Sequence, residues 1–196
     1  MTVLWVILGI AVLAGLYVWS LYNRLVQLRN GYRAGFADID VLLKRRYDLI
    51  PNLVEAVKGY MQHEKSTLDA VTASRGAASS AAIRAAGAPG DPGAMKNLGE
   101  AESALSGALG RLMAVVESYP ELKANQNVMA LQGELTGTEN EIASARQVYN
   151  LEVMTYNNSR ETFPAVVMAA MLGFAEAALL ESTQSAEERA APKVKF

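Results

Sequence analysis

Cysteine is absent from the chain, which removes disulfides, thiolate nucleophiles, lipoprotein attachment and Cys-ligated metals. Histidine is nearly absent. His63 is the single copy, and although His63-Glu64 matches the opening of a zinc-protease motif, no second histidine completes it. No glycine-rich phosphate loop follows a strand-forming run, and no strand is expected. The net charge of −2 argues against a nucleic-acid partner, whose binding depends on phosphate neutralisation. No cofactor is expected.

What the sequence does have is an apolar run from Val3 to Tyr22 without a single charged residue. About twenty such residues cross a hydrocarbon core as one helix. Trp5 lies near one end and Tyr17, Trp19 and Tyr22 near the other, where amphipathic rings settle at headgroup depth. Nothing basic precedes the run, it exceeds the length of a signal h-region, and no Ala-x-Ala site follows. Residues 1–23 are therefore expected to be an uncleaved transmembrane anchor. Arg24, Arg29 and Arg33, followed by Lys44, Arg45 and Arg46, place the positive side after the anchor. The expected topology is single-pass, with the N-terminus outside and residues 24–186 in the cytoplasm as a helical bundle, ending in a tail, 187–196.

Past the anchor, Leu21, Leu25, Leu28, Tyr32, Gly35, Ile39 and Leu42 step by fours and threes, so the membrane helix is expected to continue as a stalk. Two readings stand for Arg24, Arg29 and Arg33: solvated cations, or ligands for anionic lipid heads. Lys44 to Pro51 reads as a corner, with Arg45, Arg46, Asp48, Pro51 and Asn52 ending one helix and capping the next. A second helix then carries Leu53, Val57, Tyr60, Glu64, Leu68 and Val71 in one stripe. An alanine-rich stretch leads to a predicted loop from Gly87 to Gly93, and a third helix presents Leu98, Leu105, Leu109, Leu112 and Val116 on one face.

No proline interrupts Glu121 to Phe163, which predicts the longest helix after the anchor. Beside its apolar stripe run Glu139, Arg146, Asn150 and Asn157, spaced seven, four and seven, and the dipeptide Tyr-Asn recurs one heptad apart. That line is either a solvated face or a polar seam that fixes register or recognises a neighbouring subunit. Glu64, Glu139 and Arg146 are also candidates for a buried charge cluster. Ala165 to Leu180, charged only at Glu176, reads as a short capping helix, with a subunit contact and a place in the membrane interface as alternatives. The fold expected is thus all-α: a transmembrane helix continuing into a bundle of helices with a C-terminal capping helix.

These residues resemble the LemA family along almost the whole chain. The similarity is carried by Tyr22 to Val26, Ile39-Asp40-Val41, Lys44 to Val54, Val57 to Tyr60 with His63-Glu64, and Tyr119 to Ala124. It continues through Leu131-Gln132, Thr138-Glu139-Asn140, Ala145-Arg146, Tyr149-Asn150 and Tyr156-Asn157, as far as Phe163-Pro164. The sequence departs from the family pattern at Val128, and at Leu179 and Leu180, where aromatics are usual. The resemblance implies an N-terminal transmembrane helix in the bacterial inner membrane and a long antiparallel four-helix bundle in the cytoplasm, without established enzymatic activity, in a family of envelope or membrane-organising proteins with one branch tied to bacterial organelle membranes. The function expected is a non-enzymatic, self-associating scaffold in contact with membrane lipid. The alternative is a monomeric or dimeric adaptor for one membrane or cytoplasmic protein, binding through the bundle surface or the Ala/Gly loop.

Overall fold

The computed structural model describes residues 1–61 and 63–181. The boundary expected at 186 and the tail beyond it lie outside the described residues. All regular structure among those residues is helical: α1 (Thr2–Lys58), α2 (Lys65–Gly87), α3 (Pro92–Val116), α4 (Pro120–Lys123), α5 (Gln126–Glu161) and α6 (Ala165–Met171).

The first helix is 57 residues long and is apolar enough at its start to cross a membrane. None of that apolar window is buried against the rest of the chain. From Leu21 onward the same helix turns one face into the core, through Leu25, Tyr32, Phe36, Ile39, Leu43 and Ile50.

The corner expected at Lys44 to Asn52 does not exist, because α1 runs straight through Pro51. A proline inside a helix removes the donor that the carbonyl four residues earlier would receive. That carbonyl belongs to Tyr47, and the Nε of Arg75 donates to it at 3.0 Å. A side chain on α2 thus supplies the bond that Pro51 cannot. The true reversal comes later, at residues 59–64, so the expected helical stripe through Tyr60 and Glu64 breaks there. Met61 turns inward instead, and Tyr60 is exposed.

The link between α2 and α3 is shorter than the loop predicted at Gly87 to Gly93. Only Ala88 to Asp91 separate the helices; Asp91 caps α3 by accepting from the Ala94 N–H at 2.8 Å, and Pro92 occupies the first turn. Gly90 has φ +87°, and a Cβ there would come within 3.1 Å of both the Tyr32 ring and Ala177, so glycine is required on two grounds. The long helix expected from Glu121 is divided: Asn125 accepts from the N–H groups of Asn127 and Val128, which starts α5 at Gln126.

α1 packs chiefly against α5, and α2 against α3. Contacts descend along α5 as they ascend along α1: Gly31 meets Glu152, Gly35 meets Tyr149, and Arg46 meets Glu139. The capping helix expected over 165–180 is only seven residues long. Gly173, at φ +74°, turns the chain out of it, and residues 174–181 continue without helical structure as a strap along α5.

Candidate functional site

Two polar assemblies stand out on the inner side of α5, and the sequence-predicted line of Glu139, Arg146, Asn150 and Asn157 divides between them. The first is a charge cluster. Arg46, expected at a corner, lies mid-helix with a side chain only 2% exposed. Its Nη1 donates to Glu139 Oε1 at 2.5 Å, and its Nη2 pairs with Glu102 on α3. Glu102 also accepts from the Tyr47 hydroxyl. One buried cation is thus held by two carboxylates from two other helices, which is the condition for keeping a charge out of water.

Arg146 lines the same cavity, of about 460 Å³, together with Arg46, Glu102, Glu139, Ser103 and Ser106. Glu181 at the end of the strap lines it as well, so three glutamates face two arginines there. Burial lowers the Arg146 pKa while the nearby Glu139 carboxylate raises it and Arg46 lowers it further. Burial pushes the Tyr47 phenol up to about 12, opposed by Arg46 and assisted by Asp40 and Glu139. Glu64 does not join the cluster: it precedes α2 as its N-cap residue, because the chain reverses just before it. No group of three or more His, Asp or Glu among the described residues is placed to hold a metal.

The second assembly is a ladder of side chains that grips backbone. Asn157 donates from Nδ2 to the Ala177 carbonyl at 2.8 Å, and its Oδ1 accepts from the Ala177 N–H at 3.1 Å. One heptad earlier, Asn150 does the same to Leu180, at 3.1 and 2.9 Å. The Tyr156 and Tyr149 hydroxyls each donate at 2.8 Å, to the carbonyls of Ala175 and Ala178. Seven residues of helix rise about 10.5 Å, and three residues of extended chain span about 9–10 Å. A heptad on α5 therefore keeps step with a triplet on the strap. The buried side chains of the strap, Phe174, Ala177 and Leu180, follow the same triplet. Burial raises the pKa of both tyrosines above the ordinary value.

This corrects the reading of the Tyr-Asn repeat as a seam for helix register or a neighbouring subunit: both amides are spent on the chain's own strap. The repeat was visible in the sequence, but its partner was not, because the alanine-rich strap has the composition of a helix. Arg75, Tyr47, Glu102 and Phe174 were missed altogether. A proline in an otherwise unbroken helical stripe was the one available signal for a donor such as Arg75.

The remaining predicted residues sit apart from both assemblies. Arg45 makes a 3.5 Å surface pair with Glu141, and Asp48, Pro51 and Asn52 are exposed on α1. Trp5, Tyr17, Trp19 and Tyr22 are 68%, 50%, 65% and 43% exposed along the apolar end of α1. Arg24 and Arg33 are exposed and Arg29 is half-buried, its guanidinium 5.1 Å from the centre of the Phe174 ring.

The chain is 30% identical over 168 residues to the magnetosome protein MamQ of Magnetospirillum gryphiswaldense, covering 78% of this chain and 62% of that one. It is 29% identical over 171 residues to MamQ 2 of Paramagnetospirillum magneticum, covering 80% and 63%. Protein LemA of Metamycoplasma hominis is 24% identical over 182 residues, covering 93% and 78%. The chain spans about three fifths of the length of the two MamQ relatives. A sequence model of the LemA family matches residues 35–196. The chain, an all-helical protein with one long apolar N-terminal helix, belongs to the LemA family.

Proposed function

We propose that this protein is a non-enzymatic scaffold, anchored through Val3 to Tyr22 and self-associating along the outer face of α5 to organise membrane or envelope proteins. The long helices act as one antiparallel bundle on the cytoplasmic side, a reading supported by the descending contacts between α1 and α5. Lysine and arginine follow the apolar run rather than precede it, which supports an N-terminus outside. Arg24 falls where lipid headgroups would lie, and Arg29 and Arg33 follow about 10 and 16 Å beyond Tyr22.

A single observation carries the self-association. At 100° per residue, a sector of α5 about 120° wide and opposite its buried side contains no charged residue from Gln126 to Asn158, a length of about 50 Å. Every residue in it is exposed. Met129, Val148, Leu151 and Met154 are each more than half exposed, and a Cβ added at Gly133 or Gly137 would meet nothing within 4 Å. A solvated helix face ordinarily carries charge, whereas an uncharged face that sets apolar side chains and open glycines among amides and hydroxyls admits a second helix at close range. The adaptor alternative loses one of its docking elements, since Ala88 to Asp91 is short and Gly90 is buried.

The test is sedimentation of full-length protein in mild detergent. Wild type is expected to run as multiples of the 21.0 kDa subunit, and Val148→Lys/Leu151→Lys to shift to monomer with unchanged helicity. A wild type that is monomeric at every concentration rules the reading out.

A further inference from the structure

The end of the folded domain nearest the anchor exposes a second apolar surface. Phe163, Val167 and Met171 are 80%, 54% and 76% exposed, and Val166 and Leu172 are 43% and 40% exposed. No charged residue occurs from Thr162 to Ala175. These side chains lie on α6 or at its ends.

Their level along α1 is fixed by contacts. The Tyr22 and Phe174 rings meet edge to face at 5.6 Å, and α6 packs against α1. The residues from Val3 to Tyr17 are all exposed, Val18 is half-buried, and Leu21 and Leu25 are buried. The folded domain thus begins to cover α1 before the apolar run ends, overlapping its last turn by about 6 Å between Val18 and Tyr22. If Val3 to Tyr22 crosses a bilayer, that turn with Trp19 and Tyr22 is at headgroup depth, and whatever packs beside it is there too.

We propose that Phe163 and the α6 face carrying Val166, Val167 and Met171 form a second membrane contact, a wedge that enters the lipid leaflet from which α1 emerges. The inference rests on the reading of Val3 to Tyr22 as a span. Two features of the surface match an interfacial site: a short apolar helix, and the absence of charge from Thr162 to Ala175. Arg29 stands over Phe174 on the inner side, and Arg160 pairs with Glu161 and Glu176 at the end of α5. Burying these four apolar side chains at the acyl boundary is favourable in proportion to area. A lone helix leaving the bilayer pivots freely, whereas two attachment points in one leaflet would set the tilt of the long domain relative to the membrane. Such a fixed tilt would present the uncharged face of α5 to a neighbour in the same orientation every time.

The absence of native cysteine allows single nitroxide labels in the full-length protein. Val167→Cys, Met171→Cys, Leu13→Cys and Ala77→Cys would be labelled in phosphatidylcholine/phosphatidylglycerol nanodiscs. Their accessibility to oxygen, which partitions into lipid, would be compared with that to a water-soluble nickel chelate. The expected result places 167 and 171 with Leu13 on the lipid side but shallower, and Ala77 in water. Labels at 167 and 171 that match Ala77 while Leu13 reads as lipid-embedded would overturn the wedge and leave the span intact. Leu13 in water would remove the span and the wedge with it. Protection of 167 and 171 from both reagents, with dipolar broadening, would assign the patch to a second copy and overturn the lipid contact.

Discussion

Replacing Asn157 by alanine removes both hydrogen bonds that tie Ala177 to α5 and leaves its N–H and C=O without partners. Ala177 is only 3% exposed, so water cannot take over while the strap stays docked. Each stranded group costs about 1–3 kcal/mol, which gives about 2–6 kcal/mol for the pair. The strap sets a ceiling below that sum, because it can detach. Detachment lets water reach the stranded groups and so relieves part of their cost. The expected loss is therefore about 2–4 kcal/mol, an increase of roughly 30- to 700-fold in the open population of the strap. Hydrogen exchange on the full-length protein reads this directly. Ala178 is the reporter, since its N–H donates to the Gly90 carbonyl at 2.8 Å and is not touched by the substitution. Asn150→Ala should free the same amide, and the double variant should cost less than the sum of the two, because a strap already released cannot be released again. An Ala178 amide that exchanges at the wild-type rate in the double variant refutes the ladder as the element that holds the strap.

Other consequences are more local. Arg75→Ala orphans the Tyr47 carbonyl and should cost about 1–3 kcal/mol in denaturant unfolding; in a Pro51→Ala background, where the helix regains its own donor, the penalty should largely vanish. Arg46→Met strands Glu102 and Glu139 and should destabilise by about 3–5 kcal/mol, whereas Glu139→Gln, at a side chain 40% exposed, should cost far less. Tyr47 is neutral in the folded state up to about 12, above the ordinary 10.0, so its contribution is fully present below pH 10 and is lost as the pH rises toward 12. Alkaline melts should accordingly fall over that window, and Tyr47→Phe should flatten the fall.

The sequence was most informative where one helical face does one job. The apolar run of α1, the stripe from Leu21 through Leu25, Tyr32 and Gly35 to Ile39 and the face of α3 from Leu98 to Val116 all follow from the 3.6-residue period, because burial follows that period. It misled where a partner distant in sequence overrides a local rule. Pro51 breaks a helix unless another donor reaches Tyr47, and Arg75, 28 positions away, is that donor. Ala165 to Leu180 has the composition of a helix. Gly173 was a local sign that the helix stops, but the two asparagines that draw its second half out as a strap lie on another element. The spacing of Asn150 and Asn157 was readable, but the backbone they hold could be known only once α5 and the strap were side by side. Asn125 illustrates the smaller failure: a capping side chain divides what an absence of proline suggested was one rod.

The central claim is that copies of this protein meet along α5 while anchored in the same membrane. Disulfide trapping in native membranes tests it most directly, because the chain has no cysteine of its own. A single Leu151→Cys variant treated with a mild oxidant should give a covalent dimer in high yield, while Ile83→Cys, equally exposed but on α2, should stay monomeric. Equal yields at the two positions, or none at Leu151→Cys, would contradict the account.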